Sequence, residues 1–432
     1  MRKTLSIILS CFIISGAFLM PGDTVNAKED QQIIEQKSNI NKDFLPNACD
    51  YSGQSSPVLH AGSAKDAHMR QKPLKMIDNK INKAIKEKVM PGAVVLIARS
   101  GIIVKERAYG YALKYKDADF SPLKNPIKMT KNTIFDLASI SKLFTTVAAL
   151  QLYEQGKFQL NDPVVNYLPG FAKNGKEKVT IKQLMTHTSG FPSRMKTSLF
   201  KIKGSHQDKL QYVLKYPLKN QPGSTYTYSD LNMMTLEALI EKLSGERLDE
   251  FVKKHVTAPL GMKDTMYNPG LFLKARIAAT EYQPWTDRGL VWGQVHDEKA
   301  WALGGTAGHA GIFSTASDLA KFSQMLLNGG CYKGKRILKP STVQLMETNQ
   351  LSKFQNHPHG LGVELGQEWY MDALTAPNTM GHTGFTGTSV VISPKNNTIV
   401  ILLTNRVHPT RHTPSINNIR RTIARLTADA IY

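Results

Sequence analysis

Cysteine is scarce in this chain, with only Cys11, Cys49 and Cys331 among 432 residues. That excludes a disulfide-dense scaffold, and no Cys/His spacing fits a zinc site. Cys49 and Cys331 are free to pair, yet nothing in the sequence places them side by side. Acidic residues are also few, 34 against 55 Lys and Arg, for a formal net charge of +21. The lysines are spread along the whole chain. This reads as a well-solvated basic surface that attracts anionic envelope polymers or lipid headgroups. No nucleic-acid-binding motif accompanies the charge, so nucleic acid is not an expected partner. Beyond residue 20 there is no long hydrophobic run, which excludes several membrane-spanning helices. Internal repeats and low-complexity tracts are missing too.

The N-terminus has the pattern of an export signal. Arg2 and Lys3 precede an apolar stretch from Leu5 to Met20, and Val25-Asn26-Ala27 supplies the small residues read by a signal peptidase. We expect a signal peptide over 1–27, a flexible polar leader over 28–55, and a secreted or envelope location outside the cytoplasm. A monomeric folded domain is expected over 56–432.

Hydrophobic periodicity predicts the elements of that domain. Ile77, Ile81 and Ile85 recur every four residues and mark an amphipathic helix ended by Pro91-Gly92. Ala93 to Ala98 and Ile102 to Tyr109 read as a hairpin turned at Arg99-Ser100-Gly101. Ser389 to Ile392 and Thr398 to Leu403 read as a second hairpin around Pro394-Lys395-Asn396-Asn397. A closing helix is expected from Ile416 to Ile431. Helical periodicity dominates between the hairpins. The economical fold is α+β, with one antiparallel sheet built from both chain ends and flanked by helices. Residues 56–138 and 346–432 form that sheet lobe, and 139–345 form a mostly helical inserted lobe. A site is expected at the seam.

Three stretches carry chemistry-bearing residues. Ser139-Ile140-Ser141-Lys142 precedes Leu143, Val147 and Leu150 at helical spacing. Three residues apart on a helix, Lys142 reaches the Ser139 hydroxyl and can serve as its base if burial disfavours its charge. The spacing alone is weak, since Ser121, Ser193 and Ser198 each also have a lysine three residues on. Read alone, Ser139 is better explained as a helix cap. The second stretch is Tyr228-Ser229-Asp230 at a helix start, which by itself also reads as a cap. The third is Gly381-His382-Thr383-Gly384-Phe385-Thr386-Gly387 before the C-terminal hairpin. Glycines there let a substrate approach the backbone, or simply make a turn.

Taken in order, the three stretches resemble the class C β-lactamase and DD-peptidase superfamily of penicillin-recognising serine enzymes. Supporting stretches are Thr180 to Gly190, Pro259-Leu260-Gly261-Met262 and Phe313 to Leu319. Trp292 to Ala300, Gly304 to Gly311 and His382-Thr383-Gly384 are similar to the penicillin-binding protein 4B type, a group described as D-alanyl-D-alanine carboxypeptidases. Exported amidases that cut N-acetylmuramyl from L-alanine look similar as well. The resemblance implies a β-lactamase/transpeptidase-like fold with Ser139 as nucleophile and Tyr228 and Lys142 sharing the base work. It implies an oxyanion hole from the amides of Ser139 and Phe385, and a reaction needing no cofactor.

This chain departs from that pattern twice. The second motif ends in Asp230 where Asn is usual, and a carboxylate there favours the charged form of Lys142 and shifts the base role toward Tyr228. The third begins with His382 where Lys is usual, so a permanent charge gives way to one expected to titrate near neutrality. That weakens carboxylate recognition and any β-lactamase activity. Asp230, His382, Thr383, Gly384, His296 and His309 are the expected substrate-binding residues. His296, Asp297, Glu298 and His309 also invite a metal reading; none is expected, because consecutive residues cannot all face one ion. The leading expectation is an exported serine hydrolase cutting an amide bond in peptidoglycan-derived peptides. The alternatives are a carboxylesterase of the same family or a non-catalytic β-lactam- or wall-binding protein.

Overall fold

A computed structural model describes Cys49 and residues 57–432. The expected signal peptide, and the expected leader apart from Cys49, lie outside the described residues. Among the described residues no helix is long and apolar enough to cross a membrane.

Strand β1 (His60–Ala61) is followed by helix α1 (Gln71–Lys86), which buries Leu74, Ile77, Ile81 and Ala84 along one stripe. Strands β2 (Gly92–Arg99) and β3 (Ile102–Tyr115) form the first hairpin. Ser100 and Gly101 both adopt positive φ, 49° and 83°, as a tight two-residue turn requires. Strand β4 (Pro122–Lys128) pairs with the far end of β3. The inserted lobe is built on α2 (Ser141–Glu154), α3 (Asp230–Ser244) and α4 (Ala316–Leu327). The chain then returns through β5 (Glu364–Leu365), β6 (Met380–Thr383), β7 (Ser389–Ser393), β8 (Thr398–Thr404) and α5 (Asn417–Ala430).

The strands make one eight-stranded sheet in the order β1-β3-β2-β8-β7-β6-β5, with β4 beside β3. The chain ends meet where β8 runs antiparallel to β2, from Thr398 opposite Arg99 to Thr404 opposite Ala93. One pairing departs from the antiparallel expectation, as β1 lies parallel to β3. Helices α1 and α5 cover one face, packing Ile77, Ile81, Ile423 and Leu426 over Val95, Ile97, Val400 and Leu402. Helix α4 lies against β2 and β8. Covered on both faces, β2 needs no polar alternation, which explains its unbroken apolar run.

The inserted lobe is less purely helical than expected. It shares a small sheet in which Ile312–Ser314 lies between Phe135–Asp136 and Met266–Tyr267. Cys49 and Cys331 are joined in a disulfide, with Cα atoms 6.3 Å apart. The sequence had left that pairing open.

Candidate active site

The short strand Phe135–Asp136 leads straight into the turn that carries Ser139. Ala138 takes φ 48°, an uncommon conformation for a residue with a side chain. Asp136 is buried beneath it, and Oδ1 accepts the Ala138 amide at 2.8 Å while Oδ2 accepts the His296 amide at 2.6 Å. Ser139 therefore sits in a single turn of 3₁₀-helix, Ala138–Ile140, just ahead of α2.

Lys142 is 1% exposed. Its Nζ donates to Ser139 Oγ at 2.9 Å and to the His309 carbonyl at 3.1 Å, and lies 3.0 Å from Asp230 Oδ1. Three acceptors match the three hydrogens of an ammonium. The same nitrogen lies 4.9 Å from the centre of the Tyr228 ring. Burial pulls the lysine pKa down, but Asp230 and then Tyr228 outweigh it, so the net shift is upward. Burial raises the Tyr228 phenol as well; Lys142 opposes that only in part. Burial disfavours the Asp230 carboxylate, yet Lys142, His309 and Lys299 hold it well below the usual range. At rest the site thus holds a lysine ammonium, an aspartate carboxylate and a protonated tyrosine.

The third stretch docks onto the serine turn. Thr386 Oγ1 donates to the Asp136 carbonyl at 2.8 Å, and Thr388 Oγ1 to the Leu137 carbonyl at 3.1 Å. A Cβ on Gly384 would lie 2.5 Å from the Leu137 carbonyl oxygen and 2.1 Å from Thr388 Oγ1, so only glycine fits. Arg420, buried on α5, donates to the carbonyls of Gly384 at 2.9 Å and Thr388 at 2.8 Å. These bonds fix the Gly384–Phe385 peptide beside Ser139.

Ser139 opens into a cleft of ≈ 660 Å³ also lined by Tyr228, His382, Phe385, Arg406 and Arg420. Thr383 and Gly384 border the same cleft. His382 corrects an expectation. Its ring is buried, Nδ1 donates to the Thr383 carbonyl at 2.8 Å, and burial followed by the Lys142 charge pushes its pKa down to about 3. It is neutral near pH 7 and presents an unprotonated Nε2.

Asp230, His296 and His309 are not among the residues that border this cleft. Asp230 joins Lys142 to Lys299, the latter at 3.2 Å. His309 Nε2 bonds Asp297 Oδ1 at 2.8 Å, and His296 Nε2 bonds Glu281 Oε2 at 2.8 Å. These residues build the wall behind the site. Ligand atoms of Asp230, Asp297 and His309 lie within 4.8 Å of one another. The ammonium groups of Lys142 and Lys299 already pair with those carboxylates, so the cation position is filled by protein.

Sequence reasoning missed five residues here. Asp136 and Arg420 hold the two strands of backbone beside Ser139. Lys299 balances Asp230. The ring of buried His187 lies tilted against Tyr228, centroids 4.7 Å apart, with Nδ1 accepting from Asn232 at 3.0 Å. Arg406 lies over the Phe385 ring at 5.4 Å. Among the described residues neither Arg406 nor Arg420 has a carboxylate partner, whereas Arg411 is bound by Glu281 and Glu298. The only signals in the sequence were Arg406 two residues past a strand and Arg420 on the apolar stripe of a helix.

Comparison with known proteins bears on the family and the fold. The family model described as Beta-lactamase matches residues 77–424. A protein of Escherichia coli (strain K12) named "Putative D-alanyl-D-alanine carboxypeptidase" is 35% identical over 394 residues, covering 84% of this chain and 89% of its own. Two solved structures share the fold. EstCE1, "a hydrolase with promiscuous acyltransferase activity", has a TM-score of 0.65 at 24% identity, over 83% of this chain and 99% of its own. A penicillin-binding protein homologue from Caulobacter crescentus has a TM-score of 0.63 at 17% identity, over 83% and 98%. The chain belongs to the β-lactamase family of serine hydrolases.

Proposed function

We propose that this protein is an exported D-alanyl-D-alanine carboxypeptidase that works through an acyl-enzyme on Ser139. The observation that carries the reading is the pairing of the Ser139–Lys142–Tyr228 contact with two arginines, Arg406 and Arg420, in one cleft. A serine beside a lysine and a tyrosine is equipped for acyl transfer. Arginines lacking carboxylate partners supply the charge that neutral His382 does not, and suit the terminal carboxylate of a peptide. The name of the Escherichia coli relative supports the same substrate.

Catalysis begins when the Lys142–Tyr228 pair has lost one proton. The phenolate, stabilised by the adjacent ammonium, takes the hydroxyl proton as Ser139 Oγ attacks the peptide carbonyl. The amides of Ser139 and Phe385 hold the oxyanion. Collapse breaks the C–N bond, and the proton passes from the pair to the departing D-alanine amine. Water then attacks the acyl-serine by the reverse proton path and regenerates the hydroxyl. Export rests on the pattern over residues 1–27, and places the enzyme where peptidoglycan is.

A second reading has its own observation. Phe385 is 50% exposed at the cleft rim and His382 is neutral, an arrangement suited to an uncharged ester. Mass spectrometry of a muropeptide digest separates the candidates. Loss of one D-alanine, slowed in Arg406→Ala, is the expected result. Release of the whole peptide from muramic acid would instead make it an amidase. No change in the digest, with hydrolysis of a neutral ester, would make it an esterase.

A further inference from the structure

A second constellation of chemically active side chains contacts the Gly308–His309 segment that Lys142 also contacts. Glu237 and Glu241 are one helical turn apart on α3 and so share a face. His206, at the start of the helix His206–Leu214, faces them. His206 Nδ1 donates to the Leu303 carbonyl at 2.8 Å, and Nε2 faces α3. That nitrogen points at Glu237 Oε1 from 3.6 Å, too far for a hydrogen bond. Both atoms are buried and neither has a hydrogen-bond partner. Glu237 itself is 0% exposed. Two buried polar atoms that face each other without a hydrogen-bond partner call for an explanation, and a cation bound between them supplies one.

We propose that His206, Glu237 and Glu241 form a divalent-cation site of the zinc class. Their ligand atoms all lie within 4.8 Å of one another. Zinc bonds of about 2.0–2.1 Å in a tetrahedron require ligand separations of about 3.3 Å, so closing by at most about 1.5 Å completes the set. One imidazole and two carboxylates leave the fourth position to water.

Each ligand is also held from behind, as metal ligands are. The Leu303 carbonyl fixes the His206 tautomer. The Gly308 amide donates to Glu237 Oε2 at 2.8 Å, and the Leu248 amide donates to Glu241 Oε1 at 3.0 Å. Solvent reaches the site through a cavity of ≈ 370 Å³ bordered by Gln207, Glu241 and Lys242. The site is also tied to the catalytic wall. The Gly308 carbonyl accepts from Thr145 at 2.8 Å, and the next carbonyl, of His309, accepts from Lys142.

The test is zinc binding by the untagged full chain after stripping with a chelator, followed by calorimetry and elemental analysis of the gel-filtered protein. One zinc per chain is expected. Glu237→Gln keeps an acceptor for the Gly308 amide and is expected to weaken binding more than tenfold. His206→Gln, at a side chain 21% exposed, is expected to do the same while melting close to the stripped wild type. Asp297→Asn is expected to leave binding unchanged. Absence of bound zinc in the wild type would overturn the proposal, and so would binding unaltered in both Glu237→Gln and His206→Gln. Loss confined to Asp297→Asn would place the ion in the other acid cluster and overturn it equally. None of these outcomes depends on Ser139 chemistry, so the site stands or falls apart from the proposed hydrolase activity.

Discussion

Lys142 directs its three ammonium hydrogens to Ser139 Oγ, the His309 carbonyl and Asp230, and this sets the pH at which the site works. Both candidate bases, Lys142 and Tyr228, have pKa values shifted upward. The form that has lost one proton is therefore a minority at pH 7, and acylation is expected to rise with pH into the alkaline range. Asp230 raises both groups, the lysine by attracting its ammonium and the tyrosine by repelling its phenolate. Asp230→Asn removes that charge and keeps an oxygen facing Lys142. The rising limb of kcat/KM against pH is expected to move down by on the order of 1–2 units. A limb that stays in place or moves upward would contradict the assignment. The effect of Asp230 on Lys142 was legible only through the resemblance, which puts the two motifs in one site. The neutrality of His382 was not, since it depends on burial and on a lysine far away in sequence.

At the scale of elements, the turn between β6 and β7 and the turn before α2 act as one unit. Thr386 and Thr388 donate to the Asp136 and Leu137 carbonyls, and Gly384 allows the two backbones to touch. Gly384→Ala puts a methyl group against backbone and is expected to cost about 1–3 kcal/mol of stability. It should also abolish acylation in the molecules that remain folded, because the Phe385 amide moves. Thermal melting alongside active-site titration checks both effects; a folded variant acylated at the wild-type rate would refute the docking argument. The long elements were readable because each has a period and a stop signal. Ile77, Ile81 and Ile85 marked α1, and Asn396-Asn397 marked the final hairpin. The two- and three-residue strands around Ile312–Ser314 were not, because so short a segment has no period.

Over the whole molecule, the sheet joins the chain's two ends, and the site forms where the inserted lobe returns to it. Serine, tyrosine and the Gly384 turn come from three distant parts of the sequence. The order of the motifs revealed that they belong together. It did not reveal Arg406, just past β8, or Arg420 on α5, whose place beside Ser139 exists only after β8 pairs with β2 and α5 closes over the sheet. The Cys49–Cys331 pairing was invisible for the same reason. The central claim is that this closure makes Ser139 the one activated serine among the described residues. Labelling the native chain with a fluorophosphonate, followed by peptide mapping in a mass spectrometer, tests it most directly. The account predicts one adduct, on the peptide that carries Ser139, and none in Ser139→Ala. An adduct on another serine, or labelling that persists in Ser139→Ala, would contradict it.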